Sequence, residues 1–292
     1  MTIGTDPAWR EAQYNARAAV PEHPAIFARW AERSAAARAE AGRRVRLDLA
    51  YGDGPNETLD LFLPDRTGAP LHVFLHGGYW QALDKKDFGF VAPPLVAEGI
   101  AVAVVNYALC PAVRVGDIVD QVRRALAWLW REGEGLGFDR DRIHLSGHSA
   151  GGQLVAMMMA TDWPRRAPDL PADLVKSGLS ISGLFELEPL IGTSINAKLG
   201  LDADEARAVS PMGLTPATGA PLVLAVGGEE SAEFHRQSAA FGAHWSALGT
   251  PVRWVPLPGR NHMTACEALA EAGHPLFRAA VELALGTGAR PS

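Results

Sequence analysis

Two periodicities divide the chain. From Asp6 to Ala41 the residues are Ala-rich and charged, which favours helix, and Pro21 and Pro24 split that stretch into two pieces. Beyond it the period becomes two. Val45, Leu47 and Leu49 alternate with charged residues, Leu59 and Leu61 flank Asp60 with Leu63 two residues on, and the turn Gly52-Asp53-Gly54-Pro55 joins them as two early strands. Continuous apolar runs follow: Leu71–Leu75, Ile100–Val105, Ile143–Leu145, Leu179–Ile181, Leu222–Val226 and Val252–Val255. Helical segments separate most of them. Ile118, Val122, Ala125 and Leu129 mark one such helical face. Apolar strands alternating with helices predict an α/β domain with a mostly parallel central sheet covered on both faces. No repeat or low-complexity linker interrupts the series. The reading is one domain over 1–292, with an N-terminal helical segment at 1–41 and a small cap insertion at 184–211 over the sheet's C-terminal edge.

Composition narrows the classes. The 292 residues are 48% hydrophobic and carry a net charge of −6, which excludes bulk disorder and argues against a nucleic-acid partner. No apolar run approaches the roughly 18 residues of a membrane span, and Met1–Val20 carries charges where a secretory leader would be apolar. Two cysteines, Cys110 and Cys266, are too few for a disulfide framework and fit a reducing compartment. A cytoplasmic protein with no membrane partner is expected; a homodimer is compatible with the sequence.

The strongest chemical signal is Gly147-His148-Ser149-Ala150-Gly151, a G-x-S-x-G match. A strand containing Ile143 and Leu145 precedes it and a helical stretch, Gln153–Ala160, follows. So tight a strand-to-helix turn forces the serine into a strained backbone conformation. A serine that merely caps a Gly-rich turn is the alternative, and the flanks argue against it. A serine hydroxyl needs a base. Of the histidines downstream, His235 and His244 fall inside a helical stretch and His274 precedes Pro275. His262 follows the last strand by a short loop and is the candidate base. The acid is expected after Leu222–Val226, where Glu229 and Glu230 both fit; Glu233 lies a helical turn later.

Acyl transfer also needs N–H donors for the developing oxyanion. Ala150 supplies one, and the loop His76-Gly77-Gly78-Tyr79-Trp80 after Leu71–Leu75 supplies another from Gly78, with Gly77 beside it. Tyr79 and Trp80 adjoin these glycines and are candidate substrate-binding walls for an aryl group, Trp80 stacking on the ring; packing beneath the loop is the alternative. Phe185, Leu187, Leu190 and Ile191 fit ordinary helix burial better than a lid. Arg114 and Lys198 are cations that the sequence does not place. No H-E-x-x-H or paired-carboxylate spacing suggests a metal, and no cofactor is expected.

The loop His76–Trp80 (HGGYW) together with Gly147–Gly152 (GHSAGG) resembles the α/β-hydrolase kynurenine formamidases, or arylformamidases, and their bacterial esterase-like relatives. Tyr14-Asn15, Leu59-Asp60-Leu61, Asn106-Tyr107, Ser210-Pro211, Glu230–Ser238 and Pro258–His262 extend the likeness along nearly the whole chain. The resemblance implies a catalytic triad of Ser149, an acid and His262, no metal, and hydrolysis of an N-formyl aromatic amide such as N-formylkynurenine to kynurenine and formate through an acyl-enzyme, a step of tryptophan catabolism. Animal members carry Asp at the acid position. The related bacterial pattern Gly-Gly-x-Glu-Ser-x-Glu-Phe assigns Glu230 as the acid and leaves Glu229 variable. The runner-up is a carboxylesterase or amidase for another small acyl substrate, since the same machinery serves both. A non-catalytic binding protein on this fold is the remaining rival, disfavoured because a candidate for every triad member is present.

Overall fold

The apolar runs become the strands of one eight-stranded sheet in a computed structural model that describes residues 6–286. Helices α1 (Pro7–Tyr14), α2 (Ala16–Ala19) and α3 (His23–Ala41) precede strands β1 (Val45–Ala50), β2 (Thr58–Phe62) and β3 (Ala69–Leu75). Then come α4 (Ala92–Ala97), β4 (Ala101–Val105), α5 (Val115–Leu136), β5 (Phe138–His148), α6 (Ala150–Met159), α7 (Trp163–Arg166) and β6 (Val175–Ile181). Helices α8 (Asn196–Leu199) and α9 (Ala203–Ala208), strand β7 (Leu222–Gly227), helix α10 (Ala232–Ala247), strand β8 (Val252–Leu257) and helix α11 (Pro275–Leu285) complete the series. The spatial order is β1-β2-β4-β3-β5-β6-β7-β8. β1 and β2 enter antiparallel, and every pairing from β4 to β8 is parallel. This is the α/β-hydrolase fold.

Continuous apolar strands follow from burial on both faces. Along β4, Ala101, Ala103 and Val105 enter one core while Val102 and Val104 enter the other. The first core is closed by Ile118, Val122 and Leu129 of α5, by α6, and by Phe241 and Trp245 of α10. The second is closed by Ile26 and Trp30 of α3, Leu95 of α4 and Leu276 of α11. In the segment between β6 and β7, Phe185, Leu187 and Leu190 are fully buried, and the Phe185 ring stacks on Phe241 with centroids 3.9 Å apart.

Two strands depart from the sequence pattern. The alternation in β1 predicts an inward Leu47, yet Leu47 is 46% exposed. The register shifts between Arg46 and Leu49, where Asp48 takes φ 55°, so a bulge turns the apolar side chain outward. β5 begins at Phe138, well before Ile143, because Ala69 and Pro70 of β3 pair with Phe138 and Asp139. The charged stretch Asp139–Arg142 therefore lies in the strand despite lacking an apolar pattern. Among the described residues no helix is long and apolar enough to cross a membrane.

Candidate active site

The central strand β5 runs straight into Ser149, which takes φ 57° and ψ −117°, and α6 begins at the next residue. Close approach explains the flanking glycines. A Cβ on Gly147 would lie 2.2 Å from the Gly151 carbonyl oxygen, and one on Gly151 would lie 1.9 Å from that of Leu75. The Ser149 amide is held by the Ile181 carbonyl of β6 at 2.8 Å. The hydroxyl thus sits at the α6 N-terminus, where the partial positive charge favours an anion.

Strands β7 and β8 deliver the next two side chains. Past β7 the chain turns, with the Glu230 amide donating to the Gly227 carbonyl and the Glu229 amide to the Arg260 carbonyl of the loop beyond β8. That turn points Glu229 into solvent and Glu230 inward. Glu230 Oε2 lies 2.6 Å from His262 Nδ1, and His262 Nε2 lies 3.0 Å from Ser149 Oγ. A carboxylate accepts only, so Nδ1 carries the proton and Nε2 is left to accept from the serine hydroxyl. Glu233 faces elsewhere, accepting from Tyr14 and Arg236.

Burial pushes the Glu230 carboxyl upward. Electrostatic attraction to the His262 ring and hydrogen bonds from His262, Ser182 and the Gly227 amide outweigh it and hold Glu230 below the usual carboxylate range. Ser182 Oγ donates to Glu230 Oε1 at 2.5 Å, and the Gly227 amide donates to the same oxygen at 2.7 Å. Sequence reasoning missed Ser182. It lies just past the end of β6 with φ 53°, and no local motif marks it.

The loop after β3 is braced from several sides. The His76 ring stacks on Tyr107 at 4.1 Å and contacts Asn106 Oδ1 through Nε2, while the Tyr107 hydroxyl donates to the His76 carbonyl at 2.6 Å. The pair Asn106-Tyr107 is therefore a brace behind Gly77 and Gly78. Gly78 takes φ 114°, and a Cβ there would lie 2.1 Å from the Ala82 carbonyl oxygen. Among the described residues no protein group accepts a hydrogen bond from the amides of Gly78 or Ala150, which leaves both free for a ligand.

The two aromatic residues of this loop part company. Tyr79 borders the cleft at Ser149, and its hydroxyl donates to the Tyr14 carbonyl. Trp80 does not border it. Its side chain is fully buried in the first core and its indole N–H donates to Gln153 Oε1 at 3.1 Å, so the stacking role expected for Trp80 is corrected to one in packing. The aromatic wall of the cleft comes instead from Phe27 and Trp30 of α3, with Arg17 of α2 beside them. Sequence reasoning missed all three, because their positions in the chain carry no hint that α3 folds back over the serine.

The cleft is tight. Arg17, Phe27, Trp30, Tyr79, Leu83 and Met263 close over Ser149, His148 and His262 and leave a cavity of about 30 Å³. A larger groove of about 570 Å³, bordered by Ala37, Phe62 and Val96, touches none of Ser149, Glu230 and His262. Among the described residues no group of three His, Cys, Asp or Glu side chains is arranged to hold a metal ion.

Comparisons with known proteins agree with this architecture. The family model BD-FAE matches residues 59–168. The kynurenine formamidase of Salmo salar is 32% identical over 247 residues, which is 82% of each chain. That of Danio rerio is 29% identical over 253 residues, 84% of each chain. A crystal structure of a candidate thioesterase from a Silicibacter species superposes with a TM-score of 0.83 at 34% identity, covering 94% of this chain and 98% of that one. Likeness sustained at this level over most of both sequences, on a shared sheet, means that this chain belongs to the kynurenine formamidase family of hydrolases.

Proposed function

We propose that the protein cleaves an N-formyl aryl amide, N-formylkynurenine being the leading case, into the free arylamine and formate. Ser149 Oγ attacks the formyl carbon as His262 Nε2 takes its proton. The amides of Ala150 and Gly78, with Gly77 beside them, hold the oxyanion, and the α6 N-terminus adds favourable field. As the C–N bond breaks, His262 returns the proton to the departing nitrogen and leaves a formyl ester on Ser149. Water, deprotonated by His262, then attacks that ester and releases formate and the serine hydroxyl. Glu230, held below the usual carboxylate range, stays ionised and keeps the imidazole oriented.

The observation that carries this reading is the hydrogen-bonded chain Ser149–His262–Glu230 opening into a cavity of about 30 Å³. That space suits an acyl group of one or two heavy atoms, and formyl is the smallest acyl group. The aromatic side chains Phe27, Trp30 and Tyr79 around it suit an aryl leaving group. A second reading, hydrolysis of another small acyl ester or thioester, is favoured by the likeness to the Silicibacter candidate thioesterase. The deciding experiment compares kcat/KM for N-formylkynurenine, phenyl acetate and a short-chain acyl thioester. A formamide preference of about tenfold or more is expected; ester turnover with an intact formamide would overturn the formamidase reading.

A further inference from the structure

The cleft around Ser149 has one permanently charged side chain on its wall, that of Arg17. Its other walls are aromatic, aliphatic or backbone, apart from Ser149 and the two imidazoles. Among the described residues Arg17 forms no ion pair, and no side-chain hydrogen bond of its guanidinium is satisfied by the protein. Contrast Arg114, whose guanidinium is taken up by Asp202 and Glu205. Glu22, the next carboxylate along the chain, accepts from Asn261 Nδ2 at 3.2 Å.

The backbone beneath Arg17 is well held. Asn15 caps α2 by accepting from the Ala18 amide at 3.1 Å, and Ala16 and Val20 on either side are buried. The guanidinium lies 5.8 Å from the centroid of the Phe27 ring, itself 5.0 Å from that of Trp30. A fixed backbone, an aromatic face and an uncommitted planar cation together make an anion-binding fork, since a guanidinium matches a carboxylate in two parallel hydrogen bonds. With about 30 Å³ left beside Ser149, the bulk of any substrate must extend beyond that space, whose lining includes Phe27 and Arg17.

We propose that Arg17 binds a carboxylate on the leaving-group side of the substrate, so that the site selects aryl amides that bear a carboxylate over those that lack one. The inference rests on the formamidase reading above for the identity of the scissile bond. Arg17 is a binding residue and takes no part in the proton transfers.

The test pairs a substrate that bears a carboxylate with one that lacks it. N-formylkynurenine carries the carboxylate, and N-(2-acetylphenyl)formamide keeps the aryl formamide without it. Arg17→Ala should lower kcat/KM on the first by about 10- to 100-fold, mainly through KM, the loss typical of a charge-assisted hydrogen bond. On the second the loss should stay below about 3-fold, and Arg17→Lys should recover part of the preference for the carboxylate. Equal losses on both substrates, or no loss on the one that bears the carboxylate, would overturn the carboxylate anchor. Should the wild-type protein leave both formamides intact, the same contrast is read with carboxyphenyl acetate and phenyl acetate. A selective Arg17→Ala loss there retains the anchor while the formamidase reading fails; equal rates reject the anchor as well.

Discussion

His148 Nε2 lies 2.7 Å from the main-chain carbonyl oxygen of His262, so the residue preceding Ser149 holds the loop that carries the serine's hydrogen-bond partner. A carbonyl accepts only, which puts the His148 proton on Nε2. Burial, and then the neighbouring His262, push His148 down to about 3, so it stays neutral. Its Nδ1 has no partner among the described residues. His148→Leu should therefore lower kcat by about 10- to 100-fold with little change in KM, as expected when a donor to a buried carbonyl is lost and a reacting group drifts. His148→Gln, which presents an amide N–H, should recover part of it. Steady-state kinetics on both variants decide, and equal kcat for wild type and His148→Leu would contradict a positioning role.

Ser149→Ala removes one hydroxyl from a position whose backbone is fixed by the elbow. Activity should fall by about 10³-fold or more, in line with nucleophile removal elsewhere, while the melting temperature stays close to that of the wild type. Labelling by a fluorophosphonate probe should vanish with it. Retention of more than about a tenth of wild-type turnover would reject the serine mechanism.

Glu229 and Glu230 are adjacent, yet only Glu230 touches His262. Glu230→Gln should cost about 10²-fold or more in kcat, because an amide does not stabilise an imidazolium and can favour the wrong tautomer. Glu229→Gln, at an exposed site, should stay within about twofold. Ser182→Ala should fall between them, at about 3- to 10-fold, since Glu230 Oε1 keeps the Gly227 amide. Parallel kcat measurements rank the three; a silent Glu230→Gln would remove Glu230 from the mechanism.

Trp80 and Phe27 should behave in opposite ways. Trp80→Ala opens a cavity in the first core and should destabilise the fold by about 3–5 kcal/mol, with activity on aryl formamide and aliphatic ester lost together. Phe27→Ala, at a partly buried wall of the cleft, should instead raise KM for the aryl formamide by several-fold and spare the aliphatic ester. Denaturant melts and paired kinetics separate the cases, and selective loss on the aryl substrate in Trp80→Ala would restore Trp80 to the binding wall.

Four buried histidines, His72, His76, His144 and His148, are held below the ordinary value by burial and should make the fold acid-sensitive. Burial drives His72 to about 3, His144 to about 4 and His148 to about 3, against an ordinary value of 6.5. Below pH 6.5 the unfolded chain binds protons that the folded one excludes, so stability falls with falling pH. The slope is about 1.4 kcal/mol per pH unit for each fully discriminated proton. Glu230 adds to the loss at still lower pH: its carboxyl is depressed in the folded state, so its contribution is present above about 4.5 and lost as pH falls through the folded value. Urea midpoints should drop steadily from pH 6.5 to 4.5, and His144→Gln should shallow the slope. A flat profile over that window would show that these side chains take up protons without unfolding.

Much of this protein is written in contiguous residues. The sheet is legible because a strand buried on both faces must be apolar throughout, as Ile100–Val105 is. The elbow is legible because its glycines stand in a fixed local pattern around the serine, although only Gly147 is demanded by a contact within one turn of chain, while Gly151 makes room for the Leu75 carbonyl of β3. His262 is legible because a short loop after the last strand has few places to go. Glu229 and Glu230 are a different matter. Neighbouring residues in a turn diverge in direction, residue spacing alone leaves both open, and the resemblance to known relatives selects Glu230. The turn pairing with Gly227 and Arg260 is what points Glu230 at His262. Tertiary structure alone decides the rest. The β1 bulge exposes Leu47, β6 brings Ser182 to Glu230, and α3 swings Phe27 and Trp30 over Ser149 while Trp80 sinks into the core. Apart from the β1 bulge, each joins side chains from elements distant in the chain. A local pattern reports which face of its own element is apolar, but not which distant element that face will meet.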